Sequence, residues 1–427
     1  MSRLLNAALT IALIACLAGT AVAGEYAFPY TDPYVATVVG TPPDVMYTPE
    51  RTARPVGHTL RVDDRVAPEL FWHSEEMRYS VVMQDGEAPL MFLVAGTGAG
   101  HNSQKNAFLQ QVFFDAGYHV VCLPSPTHPN FIVSASTSRA PGYIRDDVKD
   151  LYRVMQLVIR DLDIADQVTD YSVGGYSLGG AQSAFLSLLD EQRGAFNFRR
   201  VLMINPPVSL YNSALRLDAL HVDGPGAQDN IERTTSRLLK TVSEFYTSQD
   251  KVDFGGDLLY RLYNFRKVPG DDLRTLIAVS FRMSSSSIIF ATDLTLGTGY
   301  VVPKGQRPVP GDPLLGYLLT TVRLSFEDYF EEFLAPYLIY RNPALTRESI
   351  IRDSSLRSIR DYLRGSEKIV MVTNADDPIL DGAEVDFLRR TFGARGIIYP
   401  VGGHCGNIMY RDNVRDMLRL MQTGEGR

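Results

Sequence analysis

Gly175-Tyr176-Ser177-Leu178-Gly179 stands between a short, mostly apolar run, Tyr171 to Gly174, and apolar residues at helical spacing, Leu178, Ala181, Ala184, Phe185, Leu188 and Leu189. A Gly-x-Ser-x-Gly pentapeptide between a strand and a helix is a sharp turn that pushes the serine hydroxyl out of the backbone. Glycine at both ends lets the incoming strand and the outgoing helix pass close together, because neither carries a Cβ. A serine held this way must have a base within reach of its proton and amides facing the reacting oxygen, since its hydroxyl is a poor nucleophile at neutral pH.

The rest of the chain supplies the sheet that such a turn needs. Leu70 to Met83 reads as a strand pair, and Leu90 to Ala95 is a continuous apolar run suited to a buried parallel strand. Helix Gln104 to Ala116, strand Tyr118 to Leu123, helix Ile144 to Leu162 and, after the elbow helix, strand Val201 to Ile204 follow in alternation. Each parallel connection needs a long crossover, so the alternation predicts a mostly parallel sheet with helices on both faces. It breaks after Asn205-Pro206-Pro207 and returns at Ile369 to Val372, Gly396 to Tyr399 and a last helix, Asp412 to Met421. The intervening stretch, 208–365, is helix-like and aromatic with a Gly/Pro-rich break at 297–313, and reads as an inserted cap. Residues 24–58, rich in Pro, Tyr and Thr, read as an extended N-terminal arm, which leaves 59–207 and 366–427 as the two parts of the core.

Chains with this kind of elbow place the acid and then the histidine after the nucleophile. Only His221 and His404 follow Ser177, and His221 falls in the cap. His404 lies in Val401-Gly402-Gly403-His404-Cys405-Gly406, just past the last expected strand, where flanking glycines let it reach the elbow. The acid belongs after the preceding strand, in Thr373-Asn374-Ala375-Asp376-Asp377-Pro378-Ile379. Asp377, next to Pro378, is favoured; Asp376 reads as a turn-forming side chain, and Asp381 and Glu384 sit further from the strand end. For the oxyanion, the amide of Leu178 opens a helix whose dipole favours negative charge. A second amide should come from Ala95-Gly96-Thr97-Gly98-Ala99-Gly100-His101: Thr97, with Gly98 as the alternative. The same glycine loop invites a dinucleotide reading, but its spacing is one residue short of Gly-x-Gly-x-x-Gly and the next strand ends without an acidic residue.

Together the elbow, the Asn374-Ala-Asp-Asp-Pro-Ile segment and the Gly402-Gly-His-Cys-Gly segment resemble the α/β-hydrolase superfamily. The acid and histidine loops are most similar to esterases and phospholipases with Asn-Ala-x-Asp-Pro-Phe and Gly-Gly-His-x-Gly motifs. The resemblance covers about residues 70–207 and 366–422, and neither arm nor cap. It implies an α/β-hydrolase fold, Ser177 as nucleophile, Asp377 as acid, His404 as base, and Thr97 with Leu178 as oxyanion donors. One departure is that the His-Gly usually opening the oxyanion loop is Ala95-Gly96 here, which touches loop packing more than a backbone donor.

Met1-Ser2-Arg3, an apolar stretch to about Leu17 and Ala21-Val22-Ala23 have the layout of a secretory signal, 1–23, cleaved after Ala23. Leu13-Ile14-Ala15-Cys16 gives the alternative, a lipid anchor at Cys16; both readings export the protein to the periplasm or beyond. No other segment reads as a membrane span. Loss of residues 1–23 removes one charge, Arg3, so the formal balance of 42 basic against 49 acidic residues becomes 41 − 49 = −8. An acidic chain without a basic run makes nucleic acid a poor partner. Cys122 and Cys405, the remaining cysteines, are expected on non-neighbouring strands as free thiols, with no metal cluster and no cofactor.

The expectation is an exported serine hydrolase acting on a carboxylic ester, lipid or thioester. An acyl transferase or peptidase could use the same triad, and a non-catalytic binding protein could use the same fold. Phe245, Tyr246, Tyr260, Tyr263, Phe281, Phe326, Tyr329, Phe330 and Phe333 either line an apolar acyl pocket or form the cap's own core.

Overall fold

The computed structural model describes residues 26–220 and 273–425. Its centre is one eight-stranded sheet: β1 (Val56–Leu60), β2 (Met77–Val82), β3 (Ala88–Val94), β4 (His119–Leu123), β5 (Val168–Tyr176), β6 (Arg200–Ile204), β7 (Ile369–Asn374) and β8 (Gly396–Tyr399). The order across the sheet is β1-β2-β4-β3-β5-β6-β7-β8. β2 runs antiparallel to both of its neighbours, and every pairing from β4 to β8 is parallel. This mixed sheet, with a serine turn after its fifth strand, is the α/β-hydrolase fold.

Alternation along the central strands sends side chains to two separate cores. Leu90, Phe92 and Val94 of β3 pack on one face with Val173, Met203 and Met371. That face is covered by α3 (Ile144–Leu162), α4 (Leu178–Arg193) and α8 (Gly382–Phe392). Met91 and Leu93 point to the opposite face, against Leu109, Val112 and Phe113 of α2 (Gln104–Asp115) and Val414, Met417 and Leu420 of α9 (Arg411–Thr423). The expected core elements from β3 onward are present with shifts of up to three residues at their ends. Cys122 and Cys405 are both buried free thiols; Cys122 lies on β4, whereas Cys405 lies in the loop after β8 and not on a strand.

Two expectations need correction at the N-terminal side. Leu70–Met83 does not form a strand pair: Glu69–Ser74 is a 3-10 turn, and only β2 is a strand. The antiparallel partner is β1, in residues read from sequence as the end of the arm. β1 is an edge strand whose residues are mostly exposed, so it lacks the buried alternation that reveals a strand. The arm is also not extended throughout. α1 (Pro33–Val39) starts at Asp32, whose carboxylate accepts the Tyr34 and Val35 amides at 2.8 and 3.0 Å, with proline at the first helical position. Asp-Pro is a legible helix start, hidden here by the surrounding Pro and Thr.

Between β6 and β7, the described part of the cap contains α5 (Leu210–Ala219), α6 (Leu273–Leu296), α7 (Leu315–Arg323) and shorter helices to Gly365. α6 is long and apolar enough to cross a membrane by length and composition, contrary to the reading that nothing beyond the leader has that character. However, 61% of its most apolar stretch is buried inside the protein, where it packs on α1, α5 and α7. Tyr329, Phe330 and Phe333 form a cap core with Tyr211, and Phe326 packs at its edge. Phe245, Tyr246, Tyr260, Tyr263 and His221 lie outside the described residues.

Candidate functional site

Backbone packing forces the elbow. Ser177 has φ 54° and ψ −126°, a strained region that its surroundings must impose. Its amide donates to the Ile204 carbonyl at 2.8 Å, tying the turn to β6. A Cβ on Gly179 would lie 2.2 Å from the Val94 carbonyl oxygen, and one on Gly175 would lie 2.5 Å from the Gly179 carbonyl carbon. Strand, helix and oxyanion loop therefore meet at contact distance only because these positions have no side chain.

The two other loops bring their residues to this serine. His404 Nε2 is 2.9 Å from Ser177 Oγ, and His404 Nδ1 is 3.1 and 2.9 Å from the Asp377 carboxylate oxygens. Asp377 is buried and further held by the Ile379 amide at 3.1 Å and the Asn205 side-chain amide at 3.0 Å. A carboxylate on Nδ1 places the Nδ1 proton toward itself and leaves Nε2 as an acceptor for the serine proton. Burial pulls the His404 pKa down, but the Asp377 charge and hydrogen bond, with Cys405 alongside, outweigh it and hold the ring well above its ordinary value.

Asp376 reaches beyond its own turn. Its two oxygens accept the Gly402 and Gly403 amides at 3.1 and 3.0 Å, and Asn374 donates to the Gly403 carbonyl at 2.7 Å. Burial raises the Asp376 pKa despite those amide donors. The Asn-Ala-Asp-Asp-Pro and Gly-Gly-His segments are thus two halves of one hydrogen-bonded unit. Asp381 caps α8 and binds Arg216 of α5. Glu384 is the reciprocal partner of that cap, and neither approaches the histidine through a hydrogen bond.

The oxyanion candidates separate clearly. The Gly98 amide donates to Thr127 Oγ1 at 2.8 Å, so that alternative is occupied. The amides of Thr97 and Leu178 donate to no atom of the described residues, Thr97 beside the serine and Leu178 directly after it at the start of α4. Ala95-Gly96 in place of His-Gly is accommodated: a Cβ on Gly96 would meet Tyr176 at 2.7 Å and Ser177 at 3.2 Å, so this glycine lets the loop lie on the elbow.

Above the serine is a cavity of about 140 Å³, lined by Thr97, Ser177 and His404 from the core and Ile277, Phe281 and Ser284 from α6. Next to it lies a larger one of about 510 Å³. Its walls include His101, His128 and Phe71 on the core side and Phe290, Tyr317 and Leu318 on the cap side. Ser284 lines both, facing Gly98, where a Cβ would be 3.2 Å from the Ser284 Cβ. Burial lowers the His101 pKa to about 4, with the Arg78 charge adding to the effect, so His101 is neutral at neutral pH while the Arg78 guanidinium is the charged group of this wall. Sequence reasoning missed Asn205 and the bridging use of Asp376; Asn205-Pro206 at a strand end was the available signal.

No protein-family model and no curated protein matches the chain. Among solved structures it is similar to the thioesterase domain from the curacin biosynthetic pathway, at 11% identity and TM-score 0.42, covering 87% of this chain and 100% of that one. It is also similar to brefeldin A esterase, a bacterial homologue of human hormone sensitive lipase, at 15% identity and TM-score 0.41, covering 92% and 82%. A third is proline iminopeptidase from Mycobacterium smegmatis, at 14% identity and TM-score 0.43, covering 86% and 98%. At these values the likeness adds nothing to what strand order and elbow geometry already establish.

Proposed function

We propose that the protein is a serine hydrolase that cleaves carboxylic esters, lipid esters or thioesters through an acyl-enzyme on Ser177. The observation that carries this reading is the continuous hydrogen-bonded chain from Ser177 Oγ through His404 to the buried Asp377, ending on a serine in a strained turn. Ser177 Oγ attacks the carbonyl carbon as His404 Nε2 takes its proton, and negative charge on the carbonyl oxygen is met by the Thr97 and Leu178 amides. The imidazolium then protonates the leaving group, and the C–O or C–S bond breaks. Water repeats the sequence on the acyl-enzyme and releases the acid, regenerating Ser177.

The small cavity holds the reacting carbonyl and a short substituent. The larger one, within the usual range for ligand pockets, takes a longer apolar group, with Gly98 and Ser284 in contact at the boundary between the two. Phe281 borders the serine, whereas Tyr329, Phe330 and Phe333 belong to the cap core, so only part of the cap's aromatic content serves the substrate.

Export is part of the proposal. Tyr26, three residues beyond Ala23, is already docked on Tyr399 and Asn407, so a cut after Ala23 leaves the docked arm whole. Mass spectrometry of the mature protein distinguishes an N-terminus at Gly24 from a lipidated Cys16. Fluorophosphonate labelling tests the chemistry: wild-type protein labels and Ser177→Ala does not. Equal labelling of the two, or an inert wild type, overturns the hydrolase reading.

A further inference from the structure

The loop that carries His404 is poorly suited to holding its own shape. Gly402, Gly403 and Cys405 all have positive φ, at 152°, 57° and 60°. Glycine adopts such backbone freely, but Cys405, which carries a Cβ, holds it only where neighbours over-determine it. On one side the neighbours are Asn374 and Asp376 of the core. On the other they are residues of the N-terminal arm.

Thr37, on α1, makes the contact nearest the chemistry. Its Oγ donates to the Pro33 carbonyl at 2.6 Å, which commits its proton, and accepts the His404 backbone N–H at 2.8 Å. No side chain separates arm from loop: a Cβ on Gly403 would sit 2.3 Å from the Pro33 oxygen, and one on Gly406 would sit 2.1 Å from the Ala36 oxygen. The docking continues along the loop. Thr41 Oγ donates to the Gly406 carbonyl at 2.8 Å, the Asn407 side chain donates to the Tyr26 hydroxyl at 2.7 Å, and the Tyr47 amide donates to the Met409 carbonyl at 2.9 Å. The other side of α1 meets the cap, where Val38 packs with Leu276 and Ile277 of α6 and the Arg274 guanidinium lies 5.1 Å from the Tyr34 ring centroid.

We propose that the arm is a working part of the catalytic site, with Thr37 as the positioning residue that sets His404 against Ser177. This role rests on the triad reading above. Losing the Thr37 acceptor frees the His404 amide and lets the imidazole drift from Ser177 Oγ; Thr37 also borders the cavity above the serine, and an isosteric valine keeps that wall in place. The effect therefore falls on turnover and not on substrate binding.

The test compares Thr37→Val, which keeps the shape and removes the hydroxyl, with Thr37→Ser, which keeps the hydroxyl, using p-nitrophenyl acetate turnover, fluorophosphonate labelling rate and melting temperature. Thr37→Val is expected to lower kcat and labelling rate together by about 10- to 100-fold, the cost of sub-ångström misplacement of a reacting group, with KM within about two-fold. Thr37→Ser should restore most of the rate. Should Thr37→Val fold poorly, Asp32→Ala removes the exposed cap of α1 without touching the pocket, and is expected to slow kcat about three-fold or more at unchanged KM. An active wild type with unchanged kcat in Thr37→Val, or in Asp32→Ala where that variant stands in for it, overturns the role of the arm alone, as does Thr37→Ser no faster than Thr37→Val. An inert wild type overturns the triad reading as well.

Discussion

The two sides of the space above Ser177 are built by opposite means. The floor consists of strand-end loops locked by backbone: glycines at 175 and 179 with no room for a Cβ, paired loops joined through Asn374 and Asp376, and a histidine bonded at both ring nitrogens. The roof is one face of α6, presenting Ile277, Ser280, Phe281 and Ser284. On the floor one misplaced atom disrupts a hydrogen-bonded chain, whereas on the roof a changed side chain only alters the shape of an opening. On the proposed mechanism, reaction chemistry and substrate choice are therefore expected to separate by mutation.

The hardest test of that separation is Asp377→Asn. It preserves shape but presents an amide to His404 Nδ1, favouring the wrong tautomer, and kcat should fall on the order of 10⁴-fold with little change in KM. A loss below about ten-fold by steady-state kinetics would mean that the carboxylate does not orient the ring. Gly179→Ala attacks the floor by packing alone. With its Cβ at 2.2 Å from a backbone oxygen, we expect destabilisation of about 3 kcal/mol or more, read as a lower denaturation midpoint. A midpoint matching wild type would show that the strand and helix can part at no cost.

Ser284→Phe works on the roof. By adding bulk at the boundary the two cavities share, it should reduce kcat/KM on a p-nitrophenyl ester of a long acyl chain about 10- to 100-fold relative to the acetate. Parallel losses on both esters would place the larger cavity outside the substrate path. The smallest effect expected is a displacement in pH. In the proposed mechanism His404 acts as base only when neutral, and its pKa is raised above its usual 6.5. Activity should therefore be lost as pH falls through that raised value, with the acid limb of kcat/KM centred above 6.5. A limb centred below 6.5 would contradict the dominance of Asp377 over burial.

Legibility in the sequence followed how locally each feature is determined. Continuous apolar runs at β3, β6 and β7 betray buried parallel strands, because both faces of such a strand must be apolar. β1 is not legible in this way, because a mostly exposed edge strand needs no such pattern. Ser177, Asp377 and His404 could be picked out because each sits at a strand end in a short motif. Asp376 was legible as a residue but not in its use: its partners, the Gly402 and Gly403 amides, are 26 and 27 positions away. Thr37 is further still, 367 positions from His404, and nothing near it in the chain hints at the contact.

By itself, the sequence determined the serine elbow and the alternation that builds a parallel sheet, because these rest on local sterics and periodicity; Ser177, Asp377 and His404 stood out as a set through the resemblance of their motifs. Only the tertiary structure decided which aspartate faces the imidazole, which amides remain open toward the reacting oxygen, and that the arm closes over the histidine loop. Those depend on distances between segments far apart in the chain, which local propensity does not encode.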